Sequence, residues 1–333
     1  MQFLKKSFFI SLTSGIFLIF SLVIAEFFVR KYFPIYDPSG QIEFRHFESV
    51  PLLSHRSSSK RQWKNTGDYN VEVYSNHLGF RNRKNLKNSD ENWIYVVGDS
   101  FSFGHGVSEG KRFSNLLETK YKIGEVVNIS IPTDLDGYEK LISYAKKNGA
   151  QIKHLILGFC MENDFKDYTK KKKENKRNYN FAFLKEFLKK EIALYNLLTH
   201  AVHGNSYLQK LSTKLGLINK VYTFRSPPDE KIIRLSIKKV KNIFEKFNIK
   251  NGYVLLIPHR GIWIGEKKDT FKKIHYMTKN LLLKEGLKLI DLKDSFDQTL
   301  NPAESLFFKN DGHWNNEGHK LVAHVISENL INN

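Results

Sequence analysis

At 333 residues, with 41% hydrophobic and 14% aromatic content against 26% charged, the chain can bury a sizeable core and is excluded from the disordered class. Its one cysteine, Cys160, excludes an intramolecular disulfide and any zinc site built on cysteines. A formal charge of +19 raises nucleic acid as a partner, but the 53 lysines and arginines are spread along the chain without a zinc-finger, helix-turn-helix or RNA-recognition signature, so a basic surface and no nucleic-acid partner are expected.

The chain begins with a membrane signal. Lys5 and Lys6 precede an uncharged run over residues 7–25, and Glu26 closes it. About 20 apolar residues span the hydrocarbon core of a bilayer. The run exceeds the usual core of a signal peptide, yet Val23-Ile24-Ala25 suits cleavage, so an uncleaved anchor and a removed signal both stand. Either reading exports the body of the chain. The spacing predicts one helix over 7–29, set off by a linker over 34–40. The expected division is an anchor or signal over 1–31, a linker with a leading strand over 32–92, and one domain over 93–333.

Between 69 and 81 the alternation of Val71 and Val73 with polar neighbours predicts a half-buried strand. From residue 93 strands and helices alternate. "WIYVVG" (93–98), "VVNIS" (126–130), "HLILGFC" (154–160), "GYVLLIP" (252–258) and "LKLIDL" (287–292) are apolar strands. "FSNLLETKY" (113–121) and "YEKLISYAKKNG" (138–149) read as helices, the second with Tyr138, Leu141, Ile142 and Ala145 on one face. Continuous apolar strands alternating with amphipathic helices imply a parallel sheet covered on both faces. The expected fold is α/β, a three-layer α/β/α sandwich with a mainly parallel sheet, preceded by a transmembrane helix. Residues 166–250 read as a basic, helical insertion, with "LKEFLKKEIALYNLL" (184–198) as one helix. The run 166–177 carries seven basic residues against two acidic ones and reads as a solvated loop.

In such sheets ligands bind beyond the carboxyl ends of the strands. Ser100, in "GDSFSFG" (98–104), lies at that place on the first core strand. The stretch lacks the terminal Gly-Lys-Ser/Thr of a phosphate loop and is not a G-x-S-x-G elbow. It resembles the first block of the SGNH, or GDSL-type, hydrolases. "VVNISIP" (126–132), "GFCMENDF" (158–165) and "NDGHWNNEGHKLVAHVI" (310–326) resemble the other three blocks, in order.

The resemblance implies a flavodoxin-like fold and an acyl-ester substrate. It makes Ser100 the nucleophile, His313 the base and Asp311 the residue that orients it. It implies an oxyanion hole from the Ser100 N–H, the backbone at Ser130 and the Asn163 side chain. No metal or organic cofactor is implied. Two departures stand out: Ser130 occupies a position where glycine is usual, and the acid and base read D-x-H where D-x-x-H is usual. The D-x-H-W form is similar to that of bacterial exopolysaccharide acetyltransferases. The activity expected is therefore ester hydrolysis on O-acylated envelope carbohydrate. Acyl transfer, lipid esterase action and a silent scaffold are the alternatives. His105, in the glycine-rich loop, is a candidate substrate contact; His319 and Cys160 read as bystanders. Glu162 and Asp164 read as solvated carboxylates.

Overall fold

The computed structural model describes residues 2–54, 60–169, 179–218 and 226–331, so most of the basic run at 166–177 lies outside the described residues. The strands are β1 (Phe44–Phe47), β2 (Val50–Leu53), β3 (Lys60–Trp63), β4 (Asn70–Val73), β5 (Ile94–Val97), β6 (Val126–Asn128), β7 (His154–Cys160), β8 (Asn251–Ile257) and β9 (Lys288–Asp291). The helices are α1 (Gln2–Tyr32), α2 (Ser100–Phe103), α3 (Phe113–Thr119), α4 (Leu135–Lys147), α5 (Tyr179–Glu191) and α6 (Ala193–Gly204), followed by α7 (Ser206–Lys214), α8 (Glu230–Lys246), α9 (Lys268–Lys284), α10 (Lys293–Asp297), α11 (Pro302–Ser305) and α12 (Asn316–Ile331). The chain forms two compact units, one from the described parts of 1–41, 63–70 and 174–218, the other from 42–62, 71–173 and 219–333. This differs from the divisions expected at 31 and 92. Residues 42–62 and 71–92 join the larger unit, while α5–α7 join α1.

The larger unit is built on a five-stranded sheet in the order β6-β5-β7-β8-β9. Every neighbouring pair is parallel, with Ile94 opposite both Val126 and His154, and Cys160 opposite Ile257. Side chains alternate between the faces because the strand period is two. Tyr95, Val97, Leu155, Leu157, Val254 and Leu256 enter one core with Leu141 and Ile142 of α4, Ile237 and Val240 of α8, and Phe271 of α9. Val96, Ile156, Leu255, Ile257 and Ile290 enter the other, with Leu117 of α3 and Val322 and Ile326 of α12. Burial of each such side chain stabilises by about 1.5–3 kcal/mol, and two covered faces need the continuous apolar runs these strands have. The result is the three-layer α/β/α sandwich. The chain leaves β5 toward β6 on one side and reaches β7 on the other, so the direction of winding reverses at β5. In such sheets that switch point opens a crevice at the carboxyl ends of the strands.

The smaller unit contains α1, whose segment Phe9–Tyr32 is apolar enough (mean hydropathy 2.2) and long enough to cross a membrane. The helix continues to Tyr32, beyond the expected end at 29. Its last turns are fixed by chemistry: the two Glu26 carboxylate oxygens accept from the Ala193 and Leu194 N–H groups, at 2.9 and 2.7 Å, and Val29 is buried. A carboxylate there satisfies donors that a helix start leaves open. Ile192 is accordingly extended (φ −116°, ψ 110°), and the single helix expected over 184–198 is two, α5 and α6. The segment 34–40 is two short 3-10 turns with Pro38 buried.

Candidate active site

Ser100 begins α2, one residue after the β5–Gly98–Asp99 turn. Asp99 caps that helix, its Oδ1 accepting from the Phe101 N–H at 2.9 Å, and Gly104 ends it at φ +79°, a conformation that favours glycine. A side chain at Gly98 would place its Cβ 2.3 Å from Ser102 Oγ, so the turn carrying Ser100 admits only glycine there without rearrangement. The cap and the two glycines hold the hydroxyl at the mouth of the crevice.

His313 arrives from the other end of the chain. Phe307 and Trp314 form an isolated antiparallel bridge, and the turn between them carries Asp311 and His313. Asp311 Oδ1 accepts from the His313 N–H at 3.0 Å and also binds ring Nδ1, so one carboxylate oxygen fixes both the backbone and the imidazole. The opposite ring nitrogen, Nε2, lies 2.7 Å from Ser100 Oγ. With Nδ1–H donated to Asp311, Nε2 is left as the proton acceptor for the hydroxyl. Asp311 is buried, and Phe101 packs on the imidazole with ring centroids 5.1 Å apart. Ser100, from the β5 turn, thus lies beside His313 and Asp311, from the turn between Phe307 and Trp314.

A cleft of about 360 Å³ opens beside Ser100, lined by Asp99, Pro132, Thr133, Asp134, Asn163 and Lys166. Asn163 lies in the turn after β7, its N–H bonded to the Cys160 carbonyl at 3.0 Å. Its Nδ2 donates to Asp99 Oδ2 at 2.5 Å, which fixes the amide and leaves a second N–H on the same nitrogen. Burial raises the Asp99 carboxyl, opposed by the bond from Asn163.

Ser130 does not line the cleft. It is buried, and its N–H donates to Asn128 Oδ1 at 2.9 Å. Asn128 spends its amide on the Ser102 carbonyl and Ser114 Oγ, at 2.7 and 2.9 Å. The Ser130 N–H expected in the oxyanion hole is therefore already committed. Thr133 lines the cleft instead, and among the described residues its N–H has no hydrogen-bond acceptor. The loop leaving β6 lines the cleft from Pro132 to Asp134, beyond Ser130.

The surroundings are more buried than the sequence suggests. Asp164, expected in solvent, is buried; its Oδ2 accepts from the Cys160 N–H at 2.8 Å and the Tyr138 hydroxyl at 3.2 Å, and burial raises its carboxyl. Glu162 accepts from the Arg260 N–H at 2.9 Å, and burial raises it too. Arg260 donates to the Asp311 carbonyl at 3.1 Å and so braces the turn carrying His313. Behind the glycine-rich loop, Arg81 donates to the Gly104 and Val107 carbonyls at 2.7 and 2.6 Å. Burial lowers Arg81 to about 10 and, with Arg81 beside it, Arg112 to about 9. Burial, with Arg112 next in weight, lowers His319 to about 3, so it stays neutral; Phe113 N–H donates to its Nδ1 at 3.4 Å. Cys160 is a buried core residue.

The sequence reading missed Gln62. Its Oε1 accepts from the Gly106 N–H at 2.8 Å and its Nε2 lies 2.7 Å from His105 Nδ1, while the His105 ring stacks on His313 at 4.3 Å between centroids. No local pattern ties residue 62 to a loop some 40 positions away. Ligand atoms of His105, Asp311 and His313 lie within 4.8 Å of one another, as a metal would require, but both nitrogens of His313 are engaged by Asp311 and Ser100.

No family model matches the chain, and no curated protein matches it. Among solved structures it is similar to a lipase/acylhydrolase from Enterococcus faecalis (11% identity over 72% of this chain and 95% of that one, TM-score 0.42). It is also similar to a member of the lipolytic G-D-S-L family from Veillonella parvula (12%, 71% and 96%, TM-score 0.40). A third is a psychrotrophic esterase from Pseudoalteromonas sp. (14%, 73% and 100%, TM-score 0.40).

Proposed function

We propose that this chain is an SGNH-type serine esterase in which Ser100, His313 and Asp311 cleave acyl esters. The observation that carries the reading is the 2.7 Å contact between Ser100 Oγ and His313 Nε2, with Asp311 on the opposite ring nitrogen. Serine at its free pKa is a poor nucleophile and needs an adjacent base. As Oγ attacks the carbonyl carbon, its proton passes to Nε2, and Asp311 stabilises the imidazolium. The carbonyl oxygen becomes an oxyanion, met by the N–H groups of Ser100 and Thr133 and the second amide hydrogen of Asn163. Collapse expels the alcohol, which takes the proton back from His313. A water or a sugar hydroxyl, deprotonated by the same nitrogen, then releases the acyl group from Ser100.

The substrate we favour is a short acyl group on a carbohydrate. The cleft beside Ser100 is lined by Asp99, Thr133, Asp134, Asn163 and Lys166 with one proline, and Lys166 Nζ bonds Asp134 Oδ2 at 2.8 Å. Such walls hydrogen-bond a polyol and, among the described residues, offer no apolar sleeve to a long acyl chain. With α1 as a membrane anchor, the body would act on envelope material outside the cytoplasmic membrane. The test is hydrolysis of p-nitrophenyl acetate and p-nitrophenyl palmitate by the full chain in detergent, beside Ser100→Ala. Acetate turnover lost in Ser100→Ala is expected; turnover retained in that variant sinks the reading, and preference for palmitate sinks the substrate class.

A further inference from the structure

Helix α7, in the smaller unit, has its polar side covered and its apolar side in the open. It packs on α6, and Gln209 Nε2 lies 3.5 Å from His203 Nδ1 of that helix. Gln209, Ser212 and Thr213 are half-buried, and with about 3.6 residues per turn they share one side of α7. The opposite side carries Tyr207, Leu208, Leu211 and the C-capping Leu215. All four are exposed, Tyr207 by 72% and Leu215 by 64%. Lys210 and Lys214, also exposed, run beside that stripe. A helix on a protein surface in water turns its apolar stripe inward and its polar side outward. Single exposed leucines are ordinary, but a contiguous apolar row marks a surface that something else covers.

We infer that α7 is an interfacial helix, its apolar stripe laid into the surface of the bilayer that α1 crosses. The inference rests on the reading of α1 as an anchor and not on the esterase reading. Its ground is the place of α7 within the smaller unit. The apolar segment of α1 ends in Arg30, Lys31 and Tyr32, cations and an aromatic ring suited to the level of the headgroups. Glu26, in the last two turns of α1, holds the first two N–H groups of α6, so α6 starts beside that end of the anchor. Only Asn205 separates α6 from α7, and the 12 residues of α6 span about 18 Å, so α7 starts within roughly 20 Å of the last turns of α1. An apolar stripe flanked by lysines is what an anionic bilayer surface takes. The apolar side chains sink about 5–10 Å, and the ammonium groups meet lipid phosphates. A second copy, packed symmetrically on the same stripe, would instead bring Lys210 and Lys214 toward their own equivalents.

The test is a fluorescent thiol label on the full chain, reconstituted in vesicles of phosphatidylcholine and phosphatidylglycerol. Cys160 is buried, so the label is directed to an introduced cysteine. Leu211→Cys reports on the stripe and Phe20→Cys on the middle of α1. Tyr207→Cys reads the same face of α7 with all three leucines intact. Labels at Leu211→Cys and Tyr207→Cys should lose most of their emission to nitroxides on the fifth carbon of the acyl chain and little to nitroxides on the twelfth, with the order reversed at Phe20→Cys. That pattern supports the inference. Quenching at Phe20→Cys, with water-like and unquenched emission at both α7 positions, overturns it and leaves the anchor reading intact. No quenching at any of the three overturns both. Labels on α7 that iodide cannot reach and nitroxide lipids do not quench, with energy transfer between copies, would give the stripe to a second copy and overturn the inference as well.

Discussion

Two aspartate–histidine pairs lie among the described residues of the sheet unit, and they differ in what the second ring nitrogen meets. Asp311 binds Nδ1 of His313, and Nε2 reaches Ser100 at the edge of the cleft. Asp291, at the end of β9, binds Nε2 of His275 at 3.0 Å, and the other nitrogen is buried without a hydrogen-bond partner. His275 is fully buried, whereas 22% of the His313 side chain meets solvent. Lys279 Nζ joins Asp291 at 2.9 Å and adds a full positive charge to that pair. Identical side chains thus do separate jobs. At β9 the pair fastens α9 to the sheet; at the cleft it leaves a basic nitrogen facing a hydroxyl. An aspartate–histidine contact alone says nothing about chemistry.

The contrast can be broken by substitution. Ser100→Ala and His313→Ala should each cost about 10⁶ in kcat, and thermal melts should move little, since both sit at the cleft. Asp311→Asn should cost about 10⁴, because the imidazole loses its fixed tautomer but the nucleophile and base remain. If Asp311→Asn lowers stability as much as its counterpart at β9 and leaves kcat intact, the two pairs are equivalent and the distinction fails. Asn163→Ala should cost about 10²–10³ in kcat, the loss of one oxyanion donor.

Asp291→Asn should leave kcat near wild type and act on stability. Although burial raises the Asp291 carboxyl, His275 and Lys279 outweigh it and hold the group at about 2, below the usual 3.8. A carboxyl depressed on folding contributes stability above its unfolded value and loses it as pH falls toward its folded value. The substitution should therefore cost about 2 kcal/mol in urea melts at pH 6, with the difference shrinking between pH 4 and pH 2. A cost that does not vary over that range would assign the loss to packing alone.

The core strands were legible because a sheet covered on both faces demands unbroken apolar runs, and "IYVV" and "HLILGFC" leave no other reading. Ser100 was singled out by its place at the carboxyl end of such a run and by the resemblance of "GDSFSFG" to the first SGNH block. What escaped depends on contacts distant in sequence or on competition between neighbours. The break at Ile192 is set by Glu26, 167 positions from Ala193, and no helical periodicity over 184–198 records it. Ser130 sits where a motif places an oxyanion donor, yet the Asn128 side chain two residues earlier captures its N–H. Asp164 looked solvated because a carboxylate in a loop normally is; the Cys160 N–H that holds it is local, but the buried Tyr138 hydroxyl comes from α4.

The 213 positions between Ser100 and His313 also set a timetable. Chains emerge from the ribosome amino end first, at roughly 5–20 residues per second, and segments fold as they become available. A nascent chain that has emerged as far as β9 has the five strands of the described sheet and Ser100, but not His313. Asp311 and His313 come out together on one turn, and α12 must follow before that turn can rest against the second core face. If Ser100 and His313 act together as proposed, the growing protein holds an inert hydroxyl for some ten seconds or more at those speeds.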